Sequence, residues 1–266
     1  MRLCAGLGHL FTEQSLLDRF SLAKESGFDC AELTLPYDEK PEALEAARID
    51  SGLDVILFTA PIGDFMDGGE GNAAVPGCEQ AFRDSIAMAL DYAIALDARY
   101  VQFVAGRCSG QSKDSKKRAI YLETFTENLK EAVLAFAPVS TQLALEAINT
   151  QAYPDYLLNL PSHLWQVIKT LPDTEVGAIF DSVHLATMGI DLCAEIQHSG
   201  EKYCHLQLAD MPQRTPPGTG SLNFPDLYQA IAQSNYRGEL GFEFHPSGET
   251  RLSLKCLEEA RLALSL

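Results

Sequence analysis

Positive charge is scarce in this chain: 20 lysines and arginines face 37 aspartates and glutamates, a formal balance of −17. A field of that sign repels phosphate backbones and anionic lipid, which argues against general nucleic-acid and membrane binding. Any anionic substrate must therefore meet locally positive groups, and a metal ion would supply one. Paired cysteines are missing as well. The seven present (Cys4, Cys30, Cys78, Cys108, Cys193, Cys204 and Cys256) are scattered without a CxxC spacing. An odd count spread in this way does not describe a disulfide framework, so they read as reduced, structural thiols. No apolar run is long enough to span a membrane, and the short amino-terminal one is broken at Glu13, unlike a signal peptide. A cytoplasmic location is expected. Low-complexity tracts, short-period repeats and Ser/Gly-rich linkers are absent too, so residues 1–266 are expected to form a single domain.

What is present is a strict alternation of two patterns. Strand-like runs occupy Leu3–Leu7, Asp29–Leu33, Asp54–Phe58, Tyr100–Val104, Gln142–Glu146, Val176–Phe180, Tyr203–Leu208 and Glu239–Phe244. Amphipathic helical stretches follow them at Ser15–Ser26, Pro41–Ser51, Glu79–Leu96, Lys117–Phe136, Ser162–Leu171, Asp191–Ser199, Pro225–Gln233 and Thr250–Ser265. Gly27 and Gly52 close the first two helices, and Pro161-Ser162 is expected to open the fifth. Eight strand–helix units in this length predict an α/β protein of the (β/α)₈ TIM barrel type, which takes about 250 residues. A doubly wound open sheet would call for a phosphate-binding turn, and the loop after the first strand has no GxGxxG. Two long loops, Thr59 to Cys78 and Leu208 to Phe224, follow strands and so belong to the face where barrels keep their active sites.

The last four strands end on polar residues. Glu146 closes the fifth, Asp181 directly follows the sixth, Gln207 stands in the seventh and Glu243 in the eighth. An acid past an apolar strand is often only a helix cap, and Asp181 by itself is as readily read that way. Taken together, three carboxylates at a half-buried rim repel one another unless a cation or protons hold them. Three carboxylates with an amide oxygen make an all-oxygen set, which suits Mg²⁺ or Mn²⁺ better than a thiolate-seeking metal. Such an ion polarises a carbonyl, and a nearby carboxylate then removes a proton from the adjoining carbon.

Several runs carry a resemblance. LALEAINT (Leu143–Thr150), FDSVH (Phe180–His184), HLQLAD (His205–Asp210), PGTGSLNF (Pro217–Phe224) and GFEFHP (Gly241–Pro246) are similar to the hydroxypyruvate isomerase group of the xylose isomerase-like TIM barrels. Earlier stretches, LFTE, GFDCAELTLPYD, LFTAPIGD and VPGCEQAFR, agree, so the likeness covers nearly the whole chain. It implies that Glu146, Asp181, Gln207 and Glu243 bind the divalent metal and that Glu146 and Glu243 form the catalytic acid/base pair. It also implies that His184 touches substrate oxygens. The reaction implied interconverts hydroxypyruvate and 2-hydroxy-3-oxopropanoate (tartronate semialdehyde), so the expected partner is a small hydroxy-carbonyl acid. Arg214 is the first candidate for the substrate carboxylate and Arg107 the second, although an exposed surface role suits Arg107 better. Assembly into a homo-oligomer is compatible with the sequence.

This chain departs from the group's pattern at Arg214-Thr215-Pro216-Pro217, at Thr59 where asparagine is usual, and at Gly8-His9. These positions bear on substrate identity. His9 is a candidate substrate contact, with a structural role equally open. Gly218-Thr219-Gly220 raises a sugar phosphate as a further substrate, with a plain turn the simpler reading. The nearest alternatives are a 2-oxo-tetronate isomerase or a ketose 3-epimerase; the epimerases usually carry histidine at the position of Gln207. A barrel endonuclease acting on abasic DNA needs more histidine and a basic groove. A catalytically inactive barrel acting as a binding protein is at odds with intact Glu146 and Glu243.

Overall fold

The computed structural model describes residues 1–110, 114–171 and 176–266. Eight parallel strands follow one another around a closed barrel: β1 (Leu3–Gly6), β2 (Cys30–Leu33), β3 (Asp54–Thr59), β4 (Tyr100–Gln102), β5 (Gln142–Glu146), β6 (Val176–Asp181), β7 (Tyr203–Leu208) and β8 (Glu239–Phe242). Closure comes from β1 against β8, with Leu3 opposite Leu240 and Ala5 opposite Phe242. Around the strands lie α1 (Leu16–Glu25), α2 (Pro41–Ser51), α3 (Glu79–Leu96), α4 (Ser115–Phe136), α5 (Pro161–Ile168), α6 (Ser182–Thr187), α7 (Leu192–Ser199), α8 (Phe224–Gln233) and α9 (Lys255–Leu264). None of the helices among the described residues is long and apolar enough to cross a membrane.

The barrel follows from the period of two in its strands. Leu143 and Leu145, Phe180, Leu206 and Leu208, and Leu240 and Phe242 point outward into the large core shared with the helices. Residues between them point inward. Cys4, Cys30, Ile56, Leu57, Tyr100, Ala144 and Ile179 fill the barrel's interior as a second apolar cluster. Burial pushes the Cys4 thiol up, and all seven cysteines are free. At the amino-terminal mouth, buried Glu239 is clamped by Arg2 at 2.9 Å and Arg99 at 3.2 Å. One step further along the same inward faces stand the polar residues at the carboxyl ends.

Two local expectations are corrected, and one element is added. Pro161 takes the first position of α5, but Ser162 makes no side-chain cap there. The last helix begins with a 3₁₀ turn at Thr250–Ser253, so its α-helical part starts at Lys255. The short α6 was not foreseen, because six residues are too few to display a helical period. Its signal was Asp181, whose carboxylate accepts from the His184 amide at 2.7 Å as the N-cap.

Candidate active site

At the carboxyl-terminal mouth lies a cavity of about 430 Å³, lined among others by His9, Glu32, Thr59, Gln102, Glu146, Tyr153, His184, Gln207, Arg214 and Glu243. Glu146 and Asp181 offer oxygens within 4.8 Å of one another and of a His184 ring nitrogen. Asp181 and Glu243 meet through Arg214, one of whose terminal nitrogens binds both, with Asp181 at 2.5 Å. Two carboxylate oxygens sharing one nitrogen define a slot of atomic size for positive charge. Gln207 brings an amide oxygen that is buried and has no hydrogen-bond partner. Three carboxylates and an orphaned carbonyl oxygen fit an oxygen-seeking divalent ion.

The electrostatics follow the geometry. Burial, reinforced by the neighbouring Asp181 and Glu243, drives the Glu146 carboxyl well above the ordinary carboxylate range. Burial acts on Glu243 in the same direction, but the Arg214 guanidinium and His9 outweigh it and hold that carboxyl far below the range. His9 Nε2 lies 3.3 Å from Glu243, and Thr34 Oγ1 donates to the same oxygen at 3.4 Å. Two glutamates in one cavity are thus pushed in opposite directions by their neighbours.

Two hydrogen-bond relays orient Glu146 and His184. Thr59 Oγ1 donates to Gln102 Oε1 at 2.9 Å, and Gln102 Nε2 donates to Glu146 Oε2 at 2.6 Å. The threonine that stands in place of asparagine therefore orients the partner of Glu146. Asn149 does the same for His184. Its Oδ1 accepts from the amides of Gln151 (3.0 Å) and Ala152 (2.8 Å), which leaves Nδ2 to face His184 Nδ1 at 2.7 Å. A donor at Nδ1 makes that ring nitrogen an acceptor, so the proton of the neutral ring sits on Nε2. Burial keeps the ring neutral by lowering its pKa. His184 Nε2 lies 3.6 Å from Glu146 Oε1, beyond hydrogen-bond length and free to donate into the cavity.

Glu146, Gln207 and Glu243, together with His184, Arg214 and His9, border this one space, whereas Asp181 lies behind its wall, bound to Arg214 and capping α6. Arg107 does not. Its guanidinium stacks on Phe65 with 4.2 Å to the ring centre and donates to the carbonyls of Phe65 (2.7 Å) and Gly69 (2.6 Å). Neither a substrate contact nor a solvated surface residue, it props the loop after β3, whose Phe65 stacks on Tyr153. The Gly-rich turn is also reassigned. The amides of Gly218 (3.1 Å), Gly220 (2.8 Å) and Leu222 (2.9 Å) all donate to the buried Asp210 carboxylate, so the groups a phosphate would need are already occupied. Gln102, Asn149 and Glu32 were overlooked in the sequence. Gln102 and Glu32 are polar residues on inward positions of apolar strands, the same signal that exposed Gln207.

Comparison with known proteins agrees with this fold. Hydroxypyruvate isomerase of Escherichia coli strain K12 is 31% identical over 261 residues, covering 98% of this chain and 100% of that protein. The 2-oxo-tetronate isomerase of Haemophilus influenzae is 30% identical over 249 residues, with coverages of 94% and 95%. A crystal structure described as AP endonuclease, family 2, from Brucella melitensis superposes with a TM-score of 0.90 at 33% identity, covering 97% of this chain and 99% of that one. Fold and relatives together define an isomerase. A model of the xylose isomerase-like TIM barrel matches residues 20–260, and the chain belongs to that family.

Proposed function

We propose that this protein interconverts hydroxypyruvate and 2-hydroxy-3-oxopropanoate by proton transfer between Glu146 and Glu243, with Glu146, Asp181, Gln207 and Glu243 holding a divalent ion, Mg²⁺ or Mn²⁺. The observation that carries the reading is the pair of buried glutamates bordering one cavity, of which Glu243 shares with Asp181 a slot that holds positive charge. When bound, the ion supplies Lewis-acid polarisation of the substrate carbonyl. One glutamate takes a proton from the hydroxymethyl carbon, leaving an enediolate, and a proton is returned to the neighbouring carbon. Which of the two begins depends on the direction of reaction, and both are needed. The hydroxyl proton must pass from the terminal oxygen to the inner one, and the Nε2–H of His184 is the donor placed for that exchange. Arg214, buried and charged, is the group that meets the substrate carboxylate, and His9 lies beside it on Glu243. Seven free thiols accord with a reducing, cytoplasmic setting.

A second reading, isomerisation of a four-carbon 2-oxo-tetronate, is favoured by the relative from Haemophilus influenzae. Assaying hydroxypyruvate, 2-oxo-tetronates and free ketoses side by side, with NMR detection across a series of divalent ions, tests both. Turnover of hydroxypyruvate at the highest kcat/KM supports the first; a clear preference for the tetronate replaces it with the second.

A further inference from the structure

Beneath the rim, a charged cluster sits inside the barrel where the catalytic reading gives it no task. Glu32 of β2 is 2% exposed and His205 of β7 is fully buried, yet Glu32 Oε2 receives His205 Nε2 at 2.8 Å and Gln207 Nε2 at 3.0 Å. Gly241 of β8 makes the room: a Cβ there would stand 2.4 Å from Glu32 Oε1 and 2.7 Å from His205 Nε2. Burying a carboxylate across the barrel is costly unless its bonds serve a purpose.

The purpose lies in the amide of Gln207. A glutamine side chain offers a donor at one end and an acceptor at the other, and only the acceptor can face a cation. An oxygen of Glu32 that already receives the proton of His205 can take only a donor from Gln207. His205 is held to that role because its Nδ1 has no partner, so a proton on Nδ1 would be a buried donor left unsatisfied. With Nε2 tied down, the carbonyl oxygen of Gln207 is the end presented to the cavity, and it is the end without a partner. We infer that Glu32 is a positioning residue that fixes the orientation of the Gln207 amide, so that the site offers four oxygens and no N–H to a divalent ion. The inference rests on the assignment of Gln207 to the ion and does not depend on which substrate is turned over.

Mn²⁺ binding to the metal-stripped full chain, measured by titration calorimetry, tests it independently of catalysis. Partners behind a metal ligand typically contribute on the order of 10–100-fold in affinity. Glu32→Gln, whose amide can face Gln207 either way round, should weaken Mn²⁺ binding by that order. Exchanging the pair, Glu32→Gln with Gln207→Glu, should restore affinity to within a few-fold of native, because a carboxylate at 207 accepts from the new amide and still turns an oxygen to the ion. Native affinity in Glu32→Gln, or an exchanged pair no tighter than the single variant, overturns the inference. On native protein with ¹⁵N-labelled glutamine side chains, the Gln207 amide protons should show contacts to the His205 ring. Contacts to cavity residues alone overturn it without any variant having to fold. Loss of turnover with Mn²⁺ binding and its Glu32 dependence intact would count against the proposed reaction only.

Discussion

The oxygen of the Asn149 side chain is occupied by two backbone donors, so its nitrogen is what His184 meets, and a single amide sets the tautomer of a ring that faces Glu146. Asn149→Asp replaces that donor with an acceptor and draws the ring proton to Nδ1, removing the Nε2–H or charging the ring. Steady-state kinetics on hydroxypyruvate should show kcat reduced by about tenfold or more, equivalent to about 1.4 kcal/mol in the barrier, with KM little changed. An unaltered kcat would show that the tautomer is irrelevant. At this scale the sequence was informative for strand-borne residues and poor for loop-borne ones. Glu146, Asp181 and Gln207, and Glu243 just past β8, which ends at Phe242 and not at Phe244 as expected, were readable because a strand's alternation determines which side chains enter the barrel. That Arg214 would lie between Asp181 and Glu243 was not, since it depends on the paired loop in which the amides of Asp210 and Thr215 bond each other's carbonyls at 2.8 and 2.9 Å.

Among the elements, the long loop after β3 is the most dependent on side chains for its place. Glu70 ties it to α4 and the loop before it, accepting from Tyr121 at 2.7 Å, from the Ser109 amide at 2.8 Å and from Lys117 at 3.3 Å. Burial works to raise this carboxyl, but those hydrogen bonds outweigh it and bring it from 4.5 down to about 2. Because the folded value lies below the unfolded one, the clamp's contribution is fully present above pH 4.5 and is lost as pH falls towards 2. The difference in Tm between native protein and Glu70→Gln should therefore be constant above pH 4.5 and close steadily below it. A difference that widens on acidification contradicts the assignment. Loops of this kind were visible as Gly- and Asp-rich stretches, but their internal bonds were not. Arg107 and Asp210, one misread and the other unremarked, both work by holding loop backbone, and nothing in their neighbours' identities announces it.

Across the whole molecule, the barrel was legible because eight apolar runs of period two alternate with helices over a length that closes once. Boundaries shifted where a local turn rather than a period decides them, as at Asp181, which caps a short helix, and at Thr250, where a 3₁₀ turn moves the start of the last α-helix to Lys255. Net charge is a property of the same scale, and it separates this chain from the activity named in the description of the similar Brucella melitensis structure. With a balance of −17, duplex DNA carrying an abasic site should bind no better than the weak non-specific limit of about 10⁻⁴ M and should not be nicked at physiological salt. Metal-dependent nicking under those conditions would revive the endonuclease alternative.

The most direct test of the account is solvent-deuterium incorporation during isomerisation of hydroxypyruvate in D₂O by the Mg²⁺- or Mn²⁺-loaded protein, followed by NMR. Native protein should place deuterium on the inner carbon of 2-hydroxy-3-oxopropanoate, and Glu146→Gln and Glu243→Gln should each lower the rate by about 10²–10⁴-fold while remaining folded. Product formed at an undiminished rate by either variant, or no exchange by native protein with any divalent ion, would contradict it.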